Sequence, residues 1–236
     1  MTEKSLEKLK RMVAEYPAAQ FRPAEVFVAR CGVLTIVFDG FGRSILDLKR
    51  EIEFTFPGLE PEHDGSKWPK VSLAILQDGV RLDRADIARI RDIADSFSKE
   101  LRSHDDAINV GALSAVEYGC RSLEERIRSV DLPFSDDEDR QGPSEDHAAF
   151  VRSILAQFSR HKLNQYAGEV NMHEHRENHY RSPARGWSLV ADVPADQLWL
   201  AERLTNEVLQ AVPDRYRRLD PASLHITIRT LDPLPE

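Results

Sequence analysis

Near one end of the sequence, His225, Ile226 and Thr227 sit in an apolar, β-branched run that predicts a strand over 224–231. Alternate side chains of a strand project from one face, so His225 and Thr227 share a side while Leu224, Ile226 and Ile228 share the other. An imidazole moves a proton near neutral pH, and a neighbouring hydroxyl can hydrogen-bond a phosphate oxygen as charge shifts in a transition state. The pairing suits phosphodiester chemistry. Arg229 just after the histidine, and Arg218 in a cluster with Arg215 and Arg217 just before it, add positive charge for holding a substrate.

The elements that must position this triplet recur along the chain. Periodicity predicts helices over 5–15, over 43–54 and, most clearly, from Asp83 as N-cap through Leu101. Strands are expected over 33–38, 70–76 and 108–118, and a short helix over 122–130 from the capping-box pair Ser122 and Glu125. The acidic, Pro- and Gly-bearing stretch 131–146 reads as an exposed loop or lid. A helix over about 146–166 and a histidine-bearing polar stretch to 185 follow, then a strand over 187–193, a helix over 195–212 and the closing strand. Both halves therefore run strand, helix, loop, strand. Val37 precedes Lys70 by nearly the same distance as Ala191 precedes His225, the mark of a weak internal repeat.

The segment PASLHITIRTL over 221–231 is similar to the signature strand of the two-histidine (2H) phosphoesterases, the superfamily of RNA 2′,5′-ligase-like proteins and 2′,3′-cyclic phosphodiesterases. The strand and helix before it resemble that family's unit, and the first half resembles it in layout. The resemblance implies an α+β fold of two pseudo-symmetric lobes of antiparallel sheet with flanking helices around a central cleft. It implies one bilobed domain over 1–236, with lobes near 26–130 and 147–236 joined by the acidic loop 131–146. It further implies a second His-x-Thr or His-x-Ser motif facing the first. The mirrored position here is Lys70-Val71-Ser72, which keeps the hydroxyl and replaces the histidine with lysine.

The function expected from the resemblance is a metal-independent phosphodiesterase acting on a 2′,3′-cyclic phosphate, an RNA end or a small cyclic nucleotide. His225 would exchange a proton with the attacking or leaving oxygen while Thr227, Ser72 and Lys70 hold the phosphate, with Arg229 and Arg218 as substrate-binding residues and no cofactor. An ordinary lysine is a poor base at neutral pH, so a catalytically impaired nucleotide- or RNA-end-binding protein of the same fold is the alternative. His63 is a conceivable substitute for the missing histidine.

A different class of function is suggested by His173, His175 and His179, whose His-x-His-x₃-His spacing resembles part of a cupin metal motif. The segment His104-Asp105-Asp106 contains the His-Asp doublet used by some metal phosphohydrolases, but such a doublet is common and the segment reads as a helix-end loop. Cys31 and Cys120 are too few for a disulfide framework and read as buried structural thiols in a reducing compartment. A net charge of −8 argues against a protein that coats DNA through a basic face. The sequence shows no apolar run of membrane-spanning length and no signal-peptide core at 1–11, so a cytoplasmic protein without membrane partners is expected.

Overall fold

The computed structural model describes residues 1–62, 67–104, 107–138, 142–173 and 175–232; His63, Asp105 and Asp106 lie outside them. The architecture is mixed α+β, with antiparallel pairing throughout the large sheet and helices flanking it. Among the described residues, no helix is long and apolar enough to cross a membrane.

The chain opens with α1 (Glu3–Val13), capped by Thr2 and burying Leu6, Leu9, Met12 and Val13. Two short strands, β1 (Pro17–Phe21) and β2 (Pro23–Val28), lead to a tight turn and β3 (Leu34–Phe38), every residue of which is buried. Gly32 makes that turn with φ +82, a conformation costly for any side chain, and a Cβ there would lie 2.2 Å from Leu76 Cδ1. Next come α2 (Arg43–Thr55) and β4 (Lys70–Leu76). In α3 (Arg84–Ser103), Asp83 and Asp86 satisfy each other's backbone N–H groups in a reciprocal cap.

β5 (Ile108–Val110) and β6 (Ala112–Cys120) divide at Gly111 what the hydrophobic pattern reads as one strand. The helix expected over 122–130 is instead a turn followed by β7 (Arg126–Pro133). Leu123 takes a left-handed φ of 59, and the Ser122 hydroxyl donates to Glu124 at 2.9 Å rather than capping a helix. The expected acidic loop is likewise ordered in part. β8 (Ser135–Glu138) pairs with β1, the Ser135 N–H donates to the Tyr16 carbonyl at 2.8 Å, and Phe134 is buried.

The helix expected over 146–166 is broken at Ser159, whose extended backbone (φ −91, ψ 150) turns the chain after the buried Phe158. The pieces are α4 (Glu145–Leu155) and α5 (Leu163–Met172). A short α6 (Glu177–Arg181) precedes β9 (Pro183–Asp192), α7 (Trp199–Ala211), β10 (Tyr216–Arg218) and β11 (His225–Thr230).

The large sheet has the order β2-β3-β4-β11-β9-β6-β7, and β10 joins the same edge of β4 beyond the end of β11. The two halves of the chain thus meet at β4 and β11, where Val71 pairs with Ile226. One face of the seam is fully buried, with Ile36, Val71, Ala191 and Ile226 at 0% exposure, and α2 and α7 pack against it. Burying those aliphatic side chains is worth roughly 1.5–3 kcal/mol each for the larger ones, so register at the seam is tightly specified: a slip of one residue would turn this set outward.

Candidate functional site

Parity dictates what the other face carries. With Val71 and Ile226 opposite each other and pointing into the core, the flanking residues project the other way, and the register sets His225 across from Ser72 and Thr227 across from Lys70. All four side chains line one cavity of about 500 Å³. Its floor continues through Thr35 on β3, Ser188 on β9 and Tyr118 on β6, and its walls come from Cys31 and Val33 at the β2–β3 turn, Tyr180 and His179 on α6, the turn carrying Arg121 and Leu123, and Lys67, Glu60 and Asp232.

The imidazole of His225 is oriented by the backbone. Nδ1 lies 2.7 Å from the Ser223 carbonyl oxygen, and a carbonyl can only accept, so Nδ1 carries the proton and Nε2 presents its lone pair. Burial lowers the imidazole's pKa below the ordinary histidine value; the Ser223 carbonyl and Asp192 oppose this, while Arg126 and Lys67 reinforce it. Asp192, paired with His225 across the strands, is itself fixed by Arg126 at 2.6 Å and the Ser114 hydroxyl at 2.7 Å.

Lys70 extends its amine over the Trp68 ring, 4.5 Å from the centroid, and no ion pair to it is formed by the described residues. Burial lowers its pKa from the usual lysine range; Cys31 opposes the shift and Lys67 adds to it. Lys67, Lys70 and His225 therefore converge in one polar cavity, where the charge of Lys67 adds to the lowering of both Lys70 and His225. An entering anion would oppose that lowering at Lys70 and His225.

The far wall is held by Asp232, whose carboxylate accepts from the Trp187 N–H at 2.6 Å and from the Tyr118 hydroxyl at 3.2 Å. Burial, with Asp232 second, pushes the Tyr118 pKa up to about 12. On the opposite side the Tyr180 hydroxyl contacts the Cys31 thiol at 3.4 Å. Cys31 is thus a cavity residue and only half-buried, whereas Cys120 is buried; the expectation of two buried thiols is corrected for Cys31.

Two arginines expected at the substrate lie elsewhere. A bulge between Thr227 and Arg229 shifts the alternation by one, so that Thr230 reaches the cavity and Arg229 turns into the opposite layer. There Arg229 is 1% exposed, donates to the Glu60 carbonyl at 3.4 Å and lies 3.9 Å from Glu53. Arg218 lies on β10, bonded to Asn206 and 3.7 Å from Glu202, outside the cavity. Its neighbours are also neutralised at the surface, Arg215 by Asp86 at 3.3 Å and Arg217 near Glu177 at 3.9 Å.

The histidine tract is arranged for stacking. The His175 and His179 rings lie parallel within 9°, their centroids 3.8 Å apart, while His173 sits 6.2 Å from His175. Parallel stacked rings cannot aim in-plane lone pairs at one ion. Among the described residues, no group of three His, Cys, Asp or Glu side chains is placed to hold a metal. His104 caps α3 and packs edge-on against Trp199 at 5.0 Å.

Sequence reasoning missed Tyr118, Arg121, Tyr180 and Lys67 as cavity residues. Tyr118 lies on an expected strand and could have been flagged by its alternation. The others sit on a turn, a short helix or irregular chain, with no periodic signal.

Fold and site together define an α+β protein with a polar cavity, rich in cationic and hydroxyl groups, built where the two halves of the chain meet. Comparison with protein-family models, with curated proteins and with solved structures returns no match for this chain.

Proposed function

We propose that this protein is a two-histidine-phosphoesterase-like phosphodiesterase in which lysine stands at one of the two histidine positions, acting on a 2′,3′-cyclic phosphate at an RNA end or on a small nucleotide. The observation that carries the reading is the meeting of Lys70-Val71-Ser72 and His225-Ile226-Thr227 on adjacent antiparallel strands, with all four polar side chains lining one cavity. A further feature supports it. About the seam, β3 sets Ile36 against Val71 as β9 sets Ala191 against Ile226, and β2 and β6 lie one strand further out on each side. This repeat supports two pseudo-symmetric lobes within one bilobed domain.

In this reading the phosphate sits between the strands, accepting hydrogen bonds from the Ser72 and Thr227 hydroxyls and charge from Lys70 and Lys67. The free Nε2 of His225 takes the proton from an attacking water as the new P–O bond forms, and the strained ring P–O bond breaks. The proton then returns to the leaving oxygen. The oxyanions meet preorganised donors, so the step draws only on side chains of this chain.

The replacement of a histidine by lysine supports a second reading, a nucleotide- or RNA-end-binding protein with impaired turnover. Turnover of a nucleoside 2′,3′-cyclic phosphate, measured beside calorimetric binding of the monophosphate product, separates the two. Turnover lost in His225→Ala supports the enzyme, binding without turnover in the wild type supports the binder, and absence of both rejects the phosphodiester assignment.

A further inference from the structure

We propose that Lys70 is a carbonyl-capturing amine: the cavity takes a small phosphorylated aldehyde, holds its phosphate among Ser72, Thr227 and Lys67, and joins its carbonyl carbon to Lys70 Nζ as an imine. The inference goes beyond the phosphodiester reading, because it needs the anion grip and the amine but no ester cleavage.

Four observations carry it. First, Lys70 lies on the cavity floor with its amine over Trp68 and no carboxylate in ion-pair contact among the described residues. Among the described residues the cavity's acidic groups are Glu60 and Asp232, and Asp232 is occupied by Tyr118 and the Trp187 N–H. An enclosed ammonium without a counter-ion is costly, whereas the neutral amine is a nucleophile. The lowered basicity of Lys70 points the same way. Second, Lys67 supplies a separate cation for the phosphate. Third, His225 stands diagonally across the pair of strands with an unprotonated Nε2, fixed by the 2.7 Å bond from Nδ1 to Ser223. Fourth, a volume of about 500 Å³ accommodates an open-chain sugar phosphate.

The step balances without a redox partner. The Lys70 nitrogen lone pair forms the C–N bond as the carbonyl π pair moves to oxygen, and that oxygen takes up a proton. Nε2 of His225 accepts a proton from the new ammonium and delivers it to the hydroxyl of the carbinolamine. The C–O bond then breaks, water leaves, and C=N forms as a protonated imine whose N–H proton passes to solvent, restoring the one the carbonyl oxygen first took from it, so amine and aldehyde give imine and water.

The test uses pyridoxal 5′-phosphate, which carries both groups, with sodium borohydride to fix any imine and peptide mass spectrometry to locate it. Lys70 is expected to label roughly tenfold or more faster than the exposed Lys99 of α3 at neutral pH, and inorganic phosphate should slow Lys70 alone. Lys70→Arg should remove the fast phase, and Lys99→Arg should leave it. Wild-type labelling of Lys70 no faster than Lys99, a measurement that needs no variant to fold, overturns the proposal. Fast labelling in a protein that turns over no cyclic phosphate supports it and removes only the phosphodiesterase reading.

Discussion

Replacing His225 with asparagine separates proton transfer from binding. The asparagine amide can place an N–H near the position of Nδ1, preserving the bond to the Ser223 carbonyl now made at 2.7 Å, but it has nothing at the position of Nε2. Loss of a general base costs about 10² to 10⁴ in rate, or about 3–5 kcal/mol of barrier at 1.36 kcal/mol per tenfold. The phosphate donors Ser72, Thr227, Lys67 and Lys70 remain, so the dissociation constant for a nucleoside monophosphate should stay within about threefold. Stability should change by no more than about 1 kcal/mol, because the hydrogen bond survives. Single-turnover hydrolysis of a cyclic phosphate, calorimetry with the product and urea denaturation measure the three quantities. Turnover within a factor of three of wild type in a folded His225→Asn variant refutes the role given to Nε2.

Three further outcomes are expected. Since burial favours the neutral imidazole, the acid limb of kcat/KM should fall below the free-histidine value of about 6.5; stability linked to His225 should be complete above that pH and decline as pH falls from it towards the folded value, because the unfolded chain takes up the proton first. An acid limb at or above 6.5 contradicts the burial. Lys70→Met should stabilise the fold by about 1 kcal/mol in urea melts by removing an enclosed, uncompensated amine, while weakening phosphate binding; a loss of stability would show that the amine has a structural partner. Gly186→Ala would place a Cβ 2.3 Å from the Tyr118 hydroxyl and 2.7 Å from Asp232 Oδ1, so it should cost about 1–3 kcal/mol and weaken ligand binding by displacing the wall, and an unchanged melting curve would speak against that contact.

The parts of this molecule legible in the sequence are those where one physical rule dominates. β4 and α3 carry undisturbed periodicity, and Asp83 with Asp86 marks the helix start in the residues themselves. The placement of His225 and Thr227 on one face followed from alternation alone. The same rule misplaced Arg229, because a one-residue bulge is decided by packing between strands and leaves no mark in the pattern. The Ser122–Glu125 spacing misled for a related reason: a capping box is written in four residues, but the hairpin of β6 and β7 draws on strands of nine and eight residues, and the longer ladder won. Cavity residues on turns, such as Arg121 and Tyr180, are brought in by the tertiary fold.

Among the described residues the ladder between β4 and β11 is short, registered at the single pair Val71–Ile226 before β10 takes over the same edge. The sheet's slimmest lateral joint thus runs directly beneath the cavity, with one hydroxyl and one nitrogen base contributed from either bank. Any anion that bridges the banks works as a clasp across that joint, so occupancy should be felt as slowed amide exchange at Val71 and Ile226, and the empty protein should part first along this line.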